Sequence, residues 1–115
     1  MALEQRSYSG KCFRPKPLVE IESQSNTTIV VTSWNSNDPG ARVMQLMKDF
    51  LILTADPDAT SAGSYIEGLG PMANRLRSAA LLANESLFLN DNRSEYVAGV
   101  ELAAVSVNKN ILSWV

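Results

Sequence analysis

Apolar and polar positions along the chain change period twice, and the changes divide it into six elements. Pro15 and Pro17 punctuate the start of Leu18-Val19-Glu20-Ile21-Glu22, whose alternation predicts a short strand. In that reading Leu18 or Val19 and Ile21 point to the core, and Glu20 and Glu22 lie on a wet face. Ser23 to Asn26 supply a turn. Thr27 to Trp34 are strongly β-branched, so the two segments read as an antiparallel hairpin. Residues 1–16 are polar and proline-punctuated and read as a flexible arm, leaving 17–115 as the folded domain.

Asn35 to Gly40 are dense in turn formers and also make a good helix start, with Asp38 able to cap and Pro39 suited to the first helical position. From Ala41 to Thr54 the apolar residues Val43, Met44, Met47, Phe50 and Leu51 recur at helical spacing, widened by Leu46 and Leu53. Methionines in such a stripe are core filler before they are ligands. Asp56 to Ser64 form a loop, followed by a short piece around Tyr65, Ile66 and Leu69. A second helix is expected from about Pro71 to Leu89, with Leu76, Ala79, Ala80, Leu82, Ala83, Leu87 and Phe88 as its apolar residues. Its alanines predict close packing on a neighbour.

Tyr96 to Val107 are nearly all apolar, Asn108 to Asn110 form a polar turn, and Ile111 to Val115 are apolar again. This is a second hairpin signal. The unbroken apolar run before the turn predicts a strand buried on both faces. The expected class is therefore α+β, in β-β-α-α-β-β order, with antiparallel sheets and two helices packed on one face.

That order and three local strings resemble the amino-terminal half of the type 2C metal-dependent serine/threonine phosphatases. The first string is Thr28 to Ala41, an apolar strand running into a turn and a helix. The second is Leu76 to Phe88, a long helix carrying Ala83-Asn84. The third is Gly99 to Val107 with the strand Ile111 to Val115 beyond the turn. The resemblance covers about residues 14–115 and implies half of an α-β-β-α sandwich, incomplete or self-associating on its own. It also implies two divalent metals held by acids, which would activate water for attack on a phosphoryl group. Those acids are replaced here. The strand end reads Thr32-Ser33-Trp34-Asn35, and the preceding strand position reads Arg14-Pro15-Lys16-Pro17-Leu18. Neutral side chains cannot hold two hard dications. The resemblance makes Arg14 the candidate for the family's phosphate-contacting arginine.

Composition narrows the chemistry further. The chain has 115 residues, a net charge of −2 and no histidine. The absence of histidine removes Ser-His and Cys-His catalysis and histidine-based zinc sites. The acidic balance offers no footprint for nucleic acid, and no apolar run approaches a membrane span. Cys12 is the single cysteine, so no internal disulfide forms, and nothing around it marks an activated thiolate. A cytoplasmic location is the expectation; the sequons at Asn26, Asn84 and Asn92 read as chance. Asp56 and Asp58 flank a proline and read as turn formers before metal ligands. The Gly68-Leu69-Gly70 segment lacks the lysine of a phosphate loop.

The reading that results is a catalytically inactive phosphatase-like domain, a protein-interaction or regulatory module or a fragment of a longer protein. It needs no cofactor. Its expected partner is another protein or a second copy, met through the C-terminal strand edge. Trp34, Glu101 and Trp114 are the interface candidates; Glu101 could alternatively be a buried acid paired with Arg75 or Arg77. The alternatives are an active phosphatase using manganese or magnesium, and an unrelated two-layer α/β binding domain.

Overall fold

The computed structural model describes residues 4–6, 16–34, 38–55, 66–95 and 98–115. Six elements follow in the expected order: β1 (Leu18–Glu22), β2 (Thr27–Ser33), α1 (Asp38–Leu53), α2 (Pro71–Asn90), β3 (Val100–Asn108) and β4 (Ile111–Trp114). The strands form one antiparallel sheet in the order β1-β2-β3-β4, so both hairpins lie in the same sheet. Both helices cover one face of it, α1 over β1 and β2 and α2 over β3 and β4. Asp56, Asp58, Tyr65 and Cys12 lie outside the described residues.

Strand β2 organises the layers. Thr27, Ile29, Val31 and Ser33 are buried, and the residues between them are half-buried. Strand parity therefore sends Ile29 and Val31 toward the helices. There they meet Val43, Met44, Met47, Phe50 and Leu51 of α1, Leu76, Ala79 and Ala83 of α2, and Ala104 of β3. Ile29, Met47, Leu51 and Leu76 are completely buried, each contributing about 1.5–3 kcal/mol relative to exposure. The alanines of α2 sit where the helices approach each other and the sheet, as their small size requires.

Helix α2 starts at Gly70 with no side-chain cap, and Pro71 fills its first position. Asn74, buried one turn in, holds the preceding loop instead. Its carboxamide accepts from the Ile66 N–H at 2.9 Å and donates to the Ile66 and Leu69 carbonyls, both at 3.1 Å. At the far end, the Asn92 side chain brackets Ala98, accepting from its N–H and donating to its carbonyl, each at 2.9 Å. Arg42 of α1 pairs with Asp91 just past α2 at 2.5 Å. The turn after β3 is tighter than the spacing indicates: Asn108 belongs to the strand, and Lys109 and Asn110 turn alone with φ of 47° and 66°. Two consecutive left-handed residues are the signature of a type I′ hairpin, whose twist matches that of the strands.

Two expectations need correction. Leu18, Glu20 and Glu22 face the helices, whereas Val19 and Ile21 face away, because Glu22 pairs with Thr27 and Leu18 with Val31. Glu20 meets Lys48 of α1 at 3.4 Å, and Glu22 is buried. Nor is β3 covered on both sides: Glu101, Ala103 and Val105 are exposed on the face away from the helices.

The first turn of α1 lies hard against the end of β2. A Cβ at Gly40 would come within 2.0 Å of Ser33 Oγ and 3.3 Å of both Ser33 Cβ and Val31 Cγ1. Alanine at an interior helical site ordinarily gains about 0.5–1 kcal/mol over glycine. Overpacking costs about 1–3 kcal/mol, so Gly40→Ala is expected to lower the thermal midpoint. Adding Ser33→Gly should restore part of the loss. A midpoint raised by Gly40→Ala alone would show that the helix does not press on the strand.

Candidate interaction surface

The described residues hold their polar chemistry at one end of the sheet, beneath the helices. Thr27, Ser106 and Ser113 occupy matching positions on β2, β3 and β4, with Glu22 across from Thr27. The Glu22 carboxylate accepts from the Gln24 N–H at 3.0 Å, the Ser25 N–H at 2.7 Å and the Ser25 hydroxyl. Because the serine proton goes to the carboxylate, the Thr27 hydroxyl is the donor in its 2.7 Å contact with Ser25 Oγ. The Ser25 carbonyl in turn accepts from Ser106 Oγ at 2.7 Å and Asn108 Nδ2 at 3.0 Å. Asn26 takes the left-handed conformation, φ 51°, and donates to the Val107 carbonyl at 2.7 Å. The β1–β2 turn is thereby tied to a strand about eighty positions later. Among the described residues, no buried side-chain nitrogen or oxygen lacks a partner.

Arg75 supplies the nearest positive charge. Its Nη2 donates to the Leu51 carbonyl at 2.6 Å and its Nε to Thr54 Oγ1 at 3.0 Å, while the Thr54 hydroxyl donates to the Phe50 carbonyl at 2.8 Å. The guanidinium therefore satisfies the C-terminal end of α1, where a cation is favoured. Burial lowers the Arg75 pKa, with Glu22 acting in the opposite direction. Burial raises that of Glu22, but the hydrogen bonds from Ser25 and Gln24 outweigh it, with the Arg75 charge adding, and the net shift is downward. This carboxylate is fully engaged in holding a turn.

The sequence candidates lie elsewhere. Arg14 falls outside the described residues. Trp34, just past β2, donates its N–H to the Gly99 carbonyl at 2.9 Å, and its ring lies over Gly99, where a Cβ would come within 3.4 Å of Cγ. Glu101 stands opposite Thr32 and is exposed on the open face. It is not a buried acid, and Arg75 is engaged at α1 on the other side of the sheet. Trp114, opposite Val105, is 72% exposed. By strand parity Trp34, Glu101 and Trp114 share the face that the helices leave uncovered.

That face carries Val19, Ile21, Thr28, Val30, Thr32, Ala103, Val105, Val107 and Leu112 beside the three candidates. Glu101 is the single charged residue among its strand positions. Ile21, Val105, Leu112 and Trp114 are all more than a third exposed. Periodicity singled out none of Val30, Val107 or Leu112; the signal was the unbroken apolar run of β3, which is what two covered faces look like in sequence. A smaller apolar patch, Leu81, Leu82, Phe88 and Leu89, lies on the outer side of α2, interrupted by Glu85.

Chemically, the strand end carries hydroxyls and an indole, Thr32, Ser33 and Trp34. Among the described residues no group of three or more His, Cys, Asp or Glu gathers into a possible metal site, and no helix is long and apolar enough to cross a membrane. Comparison of the chain with family models, curated proteins and solved structures gives no match.

The depressed Glu22 pKa fixes the sign of a pH effect. A carboxyl more acidic folded than unfolded stabilises the fold above its ordinary value of 4.5 and loses that contribution as the pH falls through its folded value. Glu22→Gln should therefore lower stability at neutral pH by about 1.5–3 kcal/mol, the range for a lost charged hydrogen bond. The gap from wild type should close in acid. Denaturant unfolding at a series of pH values measures it, and a gap that persists at the acid end would contradict the assignment.

Proposed function

We propose that this chain is a catalytically inactive phosphatase-like domain that works as a protein-interaction module, with the uncovered sheet face as its docking surface. The observation carrying this reading is the open face itself: a four-stranded surface of Val, Ile, Leu, Thr and Trp with one charge. Monomeric proteins rarely expose contiguous apolar patches beyond a few hundred Å², and larger ones mark interaction sites. The type 2C likeness supports the same reading, since such a half-sandwich is completed by a second sheet on this face. Sheets pack face to face about 10 Å apart through interdigitating side chains, and the row Val30, Ala103, Val105, Trp114 offers large and small residues for that. Inactivity follows from the neutral strand end Thr32-Ser33-Trp34, where the family's chemistry requires acids. The partner is a protein presenting an apolar sheet or strand; a charged polymer would find a single charged residue, Glu101, among the strand positions of this face.

Two measurements test the proposal together. With manganese or magnesium present, p-nitrophenyl phosphate should be hydrolysed no faster than in buffer. Anilinonaphthalene sulfonate should brighten on binding the folded protein, and Val105→Lys should remove most of that signal with little change in the unfolding midpoint. Metal-dependent turnover, or dye fluorescence indifferent to Val105→Lys, would overturn it.

A further inference from the structure

We propose that two copies of this chain join through their β4 edges into one continuous antiparallel sheet. This deepens the interaction reading by naming a partner, a second copy, and rests on a feature separate from the open face. The two outer strands differ. On β1, the outward Val19 carbonyl already accepts from Gln5 Nε2 at 3.5 Å. Pro17 stands immediately before that strand, and Glu20 within it is held by Lys48. Prolines, charges and covering segments are how proteins keep an edge strand from pairing. β4 itself lacks the first two, since Ile111, Leu112, Ser113 and Trp114 contain no charge and no proline, and among the described residues no side chain is seen bonded to its outer backbone.

The hydrogen-bond alternation shows which β4 groups are presented. Ala104 and Val115 exchange both N–H···O bonds at 3.0 Å, so Ser113 opposite Ser106 and Ile111 opposite Asn108 also direct their backbones to β3. The backbone groups of Leu112 and Trp114 then point outward, and among the described residues no backbone bond to them appears beyond the ladder. A two-fold axis at Ser113 sets Leu112 against Trp114 of the second copy and Trp114 against its Leu112. Both become hydrogen-bonded pairs, and their side chains meet on the open face as aromatic–aliphatic cross-strand pairs. The segment is its own complement, as an isologous contact requires. No charge on β4 meets a like charge, and the two open faces become one continuous surface.

Sedimentation velocity on the whole chain tests this across concentration. The mass should rise from 12.5 kDa toward twice that value as the protein is concentrated. The amides of Leu112 and Trp114 should exchange slowly when concentrated and rapidly when dilute. Leu112→Pro removes an outward donor while leaving the bonds to β3, a substitution an edge strand tolerates; it should abolish the doubling. Val105→Lys, in the middle of the open face, should leave it intact. A wild-type monomer at every concentration, or amides of Leu112 and Trp114 indifferent to dilution, overturns the proposal. So does a dimer that survives Leu112→Pro and is lost on Val105→Lys; that result would leave the interaction reading standing on the face alone. Metal-dependent turnover, in contrast, would remove the inactive-module reading and leave edge pairing untouched.

Discussion

Two helices share one side of a single sheet, and the burial of Ile29 and Val31 beneath them is what the other contacts depend on. Those two side chains lie on β2, one of the two inner strands, and both are essentially inaccessible. Because side chains alternate across a strand, seating Ile29 and Val31 under α1 and α2 fixes the facing of every other residue in the sheet. Ala104 falls under the helices and Val105 outside them; Glu22 goes in and Ile21 goes out. A slip of one residue between β2 and β3, with Ile29 and Val31 held in place, would invert β3, putting Val105 inside with Glu101 beside it. The apolar content of the two faces is close enough that hydrophobicity alone discriminates weakly between the registers.

The polar end of the sheet supplies the missing discrimination. Ser25 presents its carbonyl to Ser106 and Asn108, and Asn26 reaches the Val107 carbonyl, so the β1–β2 turn recognises one register of β3. These bonds are net contributors of only about 0.5–1.5 kcal/mol each. Their larger effect is negative: in a slipped register the Ser106 hydroxyl, the Ser25 carbonyl and the Asn26 carboxamide would lose these partners, at about 1–3 kcal/mol per buried group. Polar groups under the helices thus choose between two registers that the apolar residues leave close in energy. On the helix side Arg75 performs a comparable task, closing the end of α1 from the neighbouring helix.

Element order and most boundaries were legible from the sequence because each element has strong local signals. Thr27 to Thr32 are all β-branched, Pro39 and Pro71 mark helix starts, and Lys109-Asn110 sits between two apolar runs. The facing of β1 was not legible. Leu18, Val19 and Ile21 allow either side to be the core, and the choice is made by a carboxylate bonded to a turn and a lysine on α1, neither of which leaves a periodic trace. The tight approach at Gly40 was equally hidden, since glycine there reads as a turn residue until the strand end is seen beneath it. For the surface, Trp34, Glu101 and Trp114 could be named individually, but their common face follows only from the register that joins β2, β3 and β4.

The same alternation explains why apolar residues on the open face persist without a cover from within the described fold. A solvated sheet face needs only polar or β-branched residues, and threonine at positions 28 and 32 meets that need. Leu112 and Trp114 exceed it. Their exposure carries a solvation cost of roughly 25 cal/mol per Å² of apolar surface, which nothing inside the two-layer fold offsets. The distribution is also uneven: charge appears at Glu101 toward one end of β3, and the two most exposed apolar side chains of the face, Leu112 and Trp114, both lie on the outer strand β4. An apolar surface arranged only for internal stability would be densest over the centre of the sheet. Concentration toward one edge places the apolar area where backbone hydrogen-bonding groups are also available, and the two together can recognise a strand by its backbone and its side chains at once.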